Sequence, residues 1–379
     1  MSAAEDYLEL CLRLGKHLDS LVDSYYGPPE ISEGVDAEEP REPASLASDA
    51  ARLREAADTP WLEAQLVALE TAARKLSGED ISYQDEIQGY YGIPAEWVSE
   101  ERFEEVHRKL DDALPGNGPL ADRYLAWREG DTLSGEPLAR ATESLAAEVR
   151  QRTSDRFGLP AGESVDWEFV TDQSWAAYNH YRGDLRSRVE INTDAQLNPA
   201  FLVHVIAHEA YPGHHTEHAW KEQRLVREQG RIEETLALNG SPQSVVAEGI
   251  AELSVEMVFG DEEWDVTARH MAGTGTAYDP DVSRAVQEAT KDLNVAGNVA
   301  WMLHADGRSL DEARGYLMRW ALTSEDRADR ALRFIADPMW RSYSITYIEG
   351  YRLCRDWVAG DPERYKRLLT EQLTTADLL

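Results

Sequence analysis

The chain has 379 residues, with 71 acidic and 38 basic side chains and a formal net charge of −33. This charge argues against nucleic acid as a partner, because phosphate binding requires a basic surface. The two cysteines, Cys11 and Cys354, lie far apart in the sequence and argue against a disulfide scaffold or a cysteine-based zinc site. No apolar run reaches the roughly 18 residues of a transmembrane helix, so we predict no membrane partner.

Helical periodicity dominates the chain, so we expect a mostly α-helical protein. Residues 1–19 are acidic and amphipathic and lack the regions of a signal peptide, which predicts a cytoplasmic protein; the oligomeric state is not predicted. Residues 27–45 are rich in Pro and Glu and predict an exposed loop. A soft boundary separates an N-terminal helical lobe, residues 1–130, from residues 131–379. The expected helices are 3–25, 46–77, 99–113, 118–130, 136–157, 199–230, 243–259, 281–304, 309–320 and 338–358.

The acidic excess has two interpretations. Lysine occurs only six times, so arginine carries most of the positive charge. Such a composition is typical of halophilic proteins, because concentrated salt screens the repulsion between carboxylates. The alternative is an acidic field that attracts a cationic substrate. The acidic residues are spread along the chain, which favours adaptation to salt.

We therefore predict that the melting temperature of the protein rises as sodium or potassium chloride increases from 0.1 M to 1 M. The screening length falls from about 10 Å to about 3 Å over that range, which weakens the repulsion in the folded state. Thermal unfolding followed by circular dichroism measures the effect. A melting temperature that does not change with salt would favour the substrate-attraction interpretation.

Two short strands are predicted ahead of the most informative segment. Residues 165–170 and 188–192 alternate polar with apolar or β-branched side chains, which predicts a small β-hairpin or sheet. The residues between them include Tyr178 and Asn179.

Residues 201–218 read FLVHVIAHEAYPGHHTEH and contain a cluster of histidines. The apolar run before His208 and Glu209 predicts a buried helix, in which ionisable groups are costly unless they are paired or bind a metal. A His-Glu pair of this kind is typical of zinc hydrolases, where the imidazole binds the metal and the glutamate takes a proton from water.

The segment departs from the standard H-E-x-x-H motif, because position i+4 is Pro212. On an ideal helix His208 and His214 would lie about 9 Å apart along the axis, too far for one metal. Pro212 and Gly213 predict a break in the helix that returns His214, or its neighbour His215, to the side of His208.

A rival interpretation uses the same segment in the opposite direction. His214-His215-Thr216-Glu217-His218 fits the inverted motif H-x-x-E-H. His214 and His218 would then bind the metal, Glu217 would be the base, and His208 would be dispensable. The spacing alone leaves both interpretations open.

The sequence HEAYPGHH, residues 208–215, resembles the HExxPGHH signature of domain-of-unknown-function family eight-eight-five, and the similar part runs from about residue 160 to 357. This resemblance implies a zincin-like helical metallopeptidase of the branch whose third ligand is a downstream glutamate, with residues 131–379 as the catalytic region. It also implies one Zn²⁺ per chain, with ligands at His208 and His214 and a general base at Glu209.

A buried helix follows the motif. Residues 245–259 are apolar almost all round, yet Glu248, Glu252 and Glu256 recur on one face, where they repel one another unless a cation lies nearby. The segment AEGIAELSVE also fits the family's EGxAxxxxE element. We predict that Glu248 is the third zinc ligand and that Glu252 orients a ligand histidine, with His215 in a similar supporting role.

A tyrosine cluster near the C-terminus completes the predicted site. Tyr347 and Gly350 fit a Tyr-x-x-Gly element of the family, and Tyr343 lies one turn earlier. The resemblance implies that a tyrosine hydroxyl stabilises the oxyanion of the reaction. It also implies that an edge strand near the metal binds substrate backbone. We accordingly predict Tyr178, Asn179 and Gly350 as substrate contacts.

The sequence thus predicts a single-zinc hydrolase, favouring a peptidase that acts on a peptide or small amide. One alternative keeps the zinc site but places a non-peptide amide or ester in it. The other alternative is a non-catalytic helical protein that binds metal.

Overall fold

The computed structural model describes residues 2–173, 175–195, 197–291 and 293–379, which form a mostly helical protein with small β-sheets. The α-helices are α1 (Ala3–Gly15), α2 (Pro29–Asp36), α3 (Pro43–Arg54), α4 (Pro60–Leu76), α5 (Tyr83–Tyr91), α6 (Glu100–Ala113), α7 (Leu120–Glu129), α8 (Gly135–Phe157), α9 (Pro199–Glu209), α10 (His214–Lys221), α11 (Pro242–Phe259), α12 (Glu263–Met271), α13 (Pro280–Thr290), α14 (Val295–His304), α15 (Leu310–Trp320), α16 (Glu325–Ile335), α17 (Ile345–Val358), α18 (Pro362–Thr370) and α19 (Thr375–Leu378). A π-helical turn covers Glu222–Arg227, and 3₁₀ turns cover Ile232–Thr235 and Gly260–Glu262. The strands are β1 (Val22–Tyr25), β2 (Ser164–Val170), β3 (Ala177–Tyr181), β4 (Arg186–Asn192) and β5 (Leu236–Leu238).

The mostly α-helical class is confirmed, but the N-terminal elements differ from those expected. The predicted helix over 3–25 ends at Gly15, and β1 follows and pairs antiparallel with β5. The predicted loop over 27–45 contains α2, which begins at Pro29 because proline is favoured in the first turn of a helix. The predicted helix over 281–304 is two helices, α13 and α14; position 292 between them lies outside the described residues.

The second sheet has the strand order β2-β4-β3. The two strands predicted from the sequence are neighbours in it, but they run parallel to each other and do not form a hairpin. Strand β3, which the sequence analysis took as connecting residues, pairs antiparallel with β4. It is an edge strand of this sheet and contacts both α9 and α10.

Helix α11 is buried on almost every side, as its apolar sequence predicts, and packs against α9 and α17. The contact with α17 is backbone to backbone. A Cβ atom on Gly249 would overlap the carbonyl group of Gly350, and one on Gly350 would overlap the carbonyl oxygen of Val245. Gly350 is therefore buried in a helix crossing. The prediction that Gly350 contacts substrate stays a prediction.

The two regions proposed from the sequence share their hydrophobic cores. Residues before 130, including Tyr91 and Phe103, pack in one cluster with Ile250 and Leu353. The boundary near residue 130 stays a prediction. Within the described residues, none of the helices combines the length and hydropathy that a membrane crossing requires.

Candidate metal centre

The helix is interrupted between α9 and α10, and the two halves of the histidine motif lie on either side of the interruption. Helix α9 ends at Glu209 and α10 begins at His214. The amide of Gly213 donates a hydrogen bond to the carbonyl oxygen of Ala207 at 2.9 Å. A Cβ atom on Gly213 would overlap the carbonyl group of His208. Glycine thus permits the close approach, and the helix breaks where Pro212 and Gly213 predict.

Across this interruption, His208 and His214 lie together with Glu248 from α11. The Nε2 atom of His208 lies 3.5 Å from Oε2 of Glu248, and Nε2 of His214 lies 3.8 Å from the same oxygen. The two imidazole rings are perpendicular, with centroids 4.7 Å apart. These are the three residues predicted as zinc ligands, and their candidate ligand atoms all lie within 4.8 Å of one another.

The donor set fits a zinc ion. Tetrahedral ligands at about 2.0–2.1 Å from zinc are about 3.3 Å apart, close to the separations between the two imidazoles and the carboxylate. Within the part of the chain that the structure describes, Oε2 of Glu248 is buried without a hydrogen-bond donor. Burial, above all, lowers the pKa of both His208 and His214, which favours the neutral imidazole that metal binding requires.

Glu252 lies on the far side of His208, where we predicted a residue that orients a ligand. Its Oε1 atom is 3.5 Å from Nδ1 of His208 and 3.7 Å from Nε2 of His204. The sequence analysis missed His204, although it lies one helical turn before His208. Burial would lower the pKa of His204, but the neighbouring carboxylate of Glu252 outweighs it and leaves the pKa raised.

Glu209, the predicted general base, is the last residue of α9 and lies next to strand β3. The side-chain amide of Asn179 donates a hydrogen bond to the carbonyl oxygen of Glu209 at 2.6 Å. Burial raises the pKa of the Glu209 carboxyl to about 8. A pKa near neutrality suits a group that must accept and return a proton. Through its hydrogen bond to the carbonyl oxygen of Glu209, Asn179 also holds the end of α9, the motif helix, against the edge strand β3.

The two tyrosines of the C-terminal cluster occupy different positions. The hydroxyl of Tyr343 donates a hydrogen bond to Oε1 of Glu248 at 2.9 Å, so it holds a candidate ligand. The ring of Tyr347 stacks beside His208 with centroids 6.5 Å apart, and 37% of the residue is exposed. Tyr347 also lines a cavity of about 890 Å³, together with His204 and Glu252. Tyr347 is therefore the more exposed of the two tyrosines.

The other histidines of the motif point away from this group. His215 is fully buried and hydrogen-bonds Glu163 through Nε2 and Ser187 through Nδ1, both at 2.9 Å. The ring of His218 stacks on Tyr181, with centroids 4.8 Å apart. The carboxylate of Glu217, the base in the inverted motif, forms a buried ion pair with Lys221 at 2.7 Å. The geometry favours the interpretation that starts at His208.

An aspartate that the sequence analysis missed also lies near the group. Asp23 on β1 accepts a hydrogen bond from the hydroxyl of Tyr178 on β3. It is close enough to His214 for the charge of each to affect the pKa of the other. Nothing in the local sequence of β1 marks this aspartate, because only the pairing of β1 with β5 carries it to the motif.

Comparisons with known proteins identify the fold but no activity. The chain matches the solved structure of a "putative lipoprotein" from Colwellia psychrerythraea with a TM-score of 0.54 and 18% identity, over 88% of this chain and 65% of that one. It also matches a "putative lipoprotein of unknown function" from Shewanella oneidensis with a TM-score of 0.51 and 12% identity, over 100% of this chain and 72% of that one. No family model matches the sequence, and the search of curated proteins finds no match.

These likenesses show a shared fold and nothing further, because the sequence identities are low. The chain spans just under two thirds of the length of the Colwellia protein. Any activity must therefore be argued from the side chains of this chain.

Proposed function

We propose that the protein is a zinc-dependent hydrolase that cleaves peptide bonds. The observation that carries the proposal is the convergence of His208, His214 and Glu248 beside Glu209. Three protein ligands leave a coordination position open, which is typical of catalytic zinc sites. A purely structural metal site has no use for a carboxylate such as Glu209 that is not a ligand. When bound, zinc supplies Lewis acidity, which polarises a carbonyl group and lowers the pKa of water.

The side chains around the site have distinct roles in hydrolysis. The carboxylate of Glu209 takes a proton from water as the water oxygen bonds to the carbonyl carbon, and it returns this proton to the leaving nitrogen as the C–N bond breaks. The hydroxyl of Tyr347 donates a hydrogen bond to the carbonyl oxygen as negative charge develops there. Tyr343 keeps the carboxylate of Glu248 oriented, and Glu252 does the same for the ring of His208.

A peptide is the substrate that the surroundings favour. Strand β3 has an unpaired edge within its sheet and is tied to the motif helix through Asn179. An extended peptide can add to such an edge through main-chain hydrogen bonds. The cavity beside Tyr347 has room for side chains of the same peptide. A small ester or non-peptide amide would use neither feature.

Metal analysis joined to a peptide-library assay tests this proposal. We expect about one zinc per purified chain, loss of hydrolysis after treatment with a chelator, and recovery when zinc is added back. Circular dichroism of the chelated protein separates loss of metal from unfolding, and the assays are run in molar salt. Full peptidase activity in metal-free protein would refute the proposal. Zinc binding with hydrolysis of esters alone would support the alternative substrate class.

A further inference from the structure

The carboxylate of Asp23 has no role in the hydrolytic scheme, although it lies at the candidate metal centre. Burial is the main cause that raises the pKa of the Glu209 and Glu248 carboxyl groups, and the nearby charge of Asp23 adds to it. The hydrogen-bond partners of Asp23 are the neutral side chains of Tyr178 and Asn239. As far as the described residues show, neither lysine nor arginine forms an ion pair with it. Burial raises the pKa of the Asp23 carboxyl, and the facing imidazoles of His214 and His180 offset this effect only in part.

The carboxylates around the candidate centre outnumber the charges of a single zinc ion. The two positive charges of a zinc ion offset the carboxylates of Glu248 and Glu209. The charge of Asp23 is then left over in a partly buried position, where an unpaired carboxylate is costly. A cation bound next to Asp23 would balance this charge.

The partners of Asp23 fix its position relative to the metal ligands. Tyr178 lies on edge strand β3, next in sequence to Asn179, whose side chain holds the end of the motif helix. Asn239 follows β5 and also accepts a hydrogen bond from Tyr343, the residue that bonds Glu248. Asp23 is therefore linked through Tyr178 to the proposed substrate strand, and through Asn239 and Tyr343 in turn to the candidate ligand Glu248.

We propose that Asp23 binds the protonated α-amino group of the substrate, so that the protein acts as an aminopeptidase on free N-termini. The α-amino group is the cation that every unblocked peptide provides, and it is largely protonated at pH 7. It lies only two bonds from the first carbonyl carbon of the peptide. An anchor for it beside the metal centre therefore directs hydrolysis to the first peptide bond. This inference rests on the proposed peptidase function.

A matched pair of peptides tests the role of Asp23. The zinc-loaded protein should hydrolyse trileucine with a kcat/KM about 10- to 100-fold higher than N-acetyl-trileucine, the range expected for one charge-assisted hydrogen bond. The Asp23→Asn variant should lose this preference by slowing on the free peptide alone. Asp19→Asn, which removes an exposed carboxylate nearby, should keep the wild-type preference. Equal rates on both peptides in the wild type, or an equal loss on both in Asp23→Asn, would overturn the inference.

A binding measurement separates this inference from the proposed function. Leucine hydroxamate and N-acetyl-leucine hydroxamate share a metal-binding group and differ in the free amine. Calorimetry should show tighter binding of the free amine by the zinc-loaded wild type and similar affinities in Asp23→Asn. This result without any peptide hydrolysis would contradict the peptidase but support the amine site. Hydrolysis of both peptides with equal hydroxamate affinities would contradict the amine site alone.

Discussion

Replacement of Glu209 by Gln should lower kcat for peptide hydrolysis by about 10²–10⁴-fold while the protein keeps its zinc. The amide has nearly the shape of the carboxylate but cannot accept a proton from water. Glu209 precedes the turn to His214 and is not one of the three candidate ligands, so the metal should remain. Steady-state kinetics on the best library peptide and zinc analysis of the same sample measure the two quantities.

Two further variants separate proton transfer from a general effect of charge. Glu209→Asp keeps a carboxylate one methylene farther from the substrate, and its rate should fall between the wild type and the Glu209→Gln variant. Glu143→Gln removes one negative charge from an exposed position on α8 and should leave kcat unchanged. A near wild-type rate in Glu209→Gln would show that the base in our scheme is assigned to the wrong residue.

The central part of the site could be predicted because its signals are local in sequence. His208 and Glu209 follow an apolar run, and the Pro212-Gly213 pair marks the point where the helix must break. Glu248 could be predicted from the sequence in the same way, because a carboxylate on an apolar helix needs a partner. Local patterns thus identified the ionisable side chains that lie in buried, apolar surroundings.

One of the missed residues, Asp23, depends on a contact that no local pattern reveals. Asp23 reaches the centre through the pairing of β1 with β5, two strands far apart in the chain. Strand β3 was overlooked because its five residues, AYNHY, carry few of the β-branched side chains that mark a strand. His204, by contrast, precedes His208 by four residues. Residues four apart on a helix are neighbours on the same face, so the sequence was sufficient to predict that His204 lies beside His208.

The close crossing of α11 and α17 determines where Tyr343 and Gly350 lie. Gly249 and Gly350 have no side chains, so the two backbones touch and Tyr343 reaches Glu248. The sequence indicated that these residues are near the metal. It could not distinguish a residue that packs or positions a ligand from one that meets substrate, since that depends on the crossing geometry.

Alanine variants of the four motif histidines should divide into two classes by zinc content. His208→Ala and His214→Ala should bind little or no zinc after dialysis, because each removes one of three protein ligands. His218→Ala should keep about one zinc per chain and most of its activity, since its ring packs on Tyr181 away from the group. Zinc analysis after gel filtration measures all four variants.

The fourth variant, His215→Ala, should lose stability but keep its zinc. Its imidazole bonds Glu163 and Ser187, so its removal leaves a buried carboxylate with one partner fewer and should lower stability by about 1–3 kcal/mol. Zinc should remain, with weakened turnover, because the neighbouring His214 faces the metal group. Thermal unfolding of each variant shows whether lost zinc reflects a lost ligand or a lost fold. Zinc retained in a folded His208→Ala and lost from a folded His218→Ala would establish the inverted motif instead.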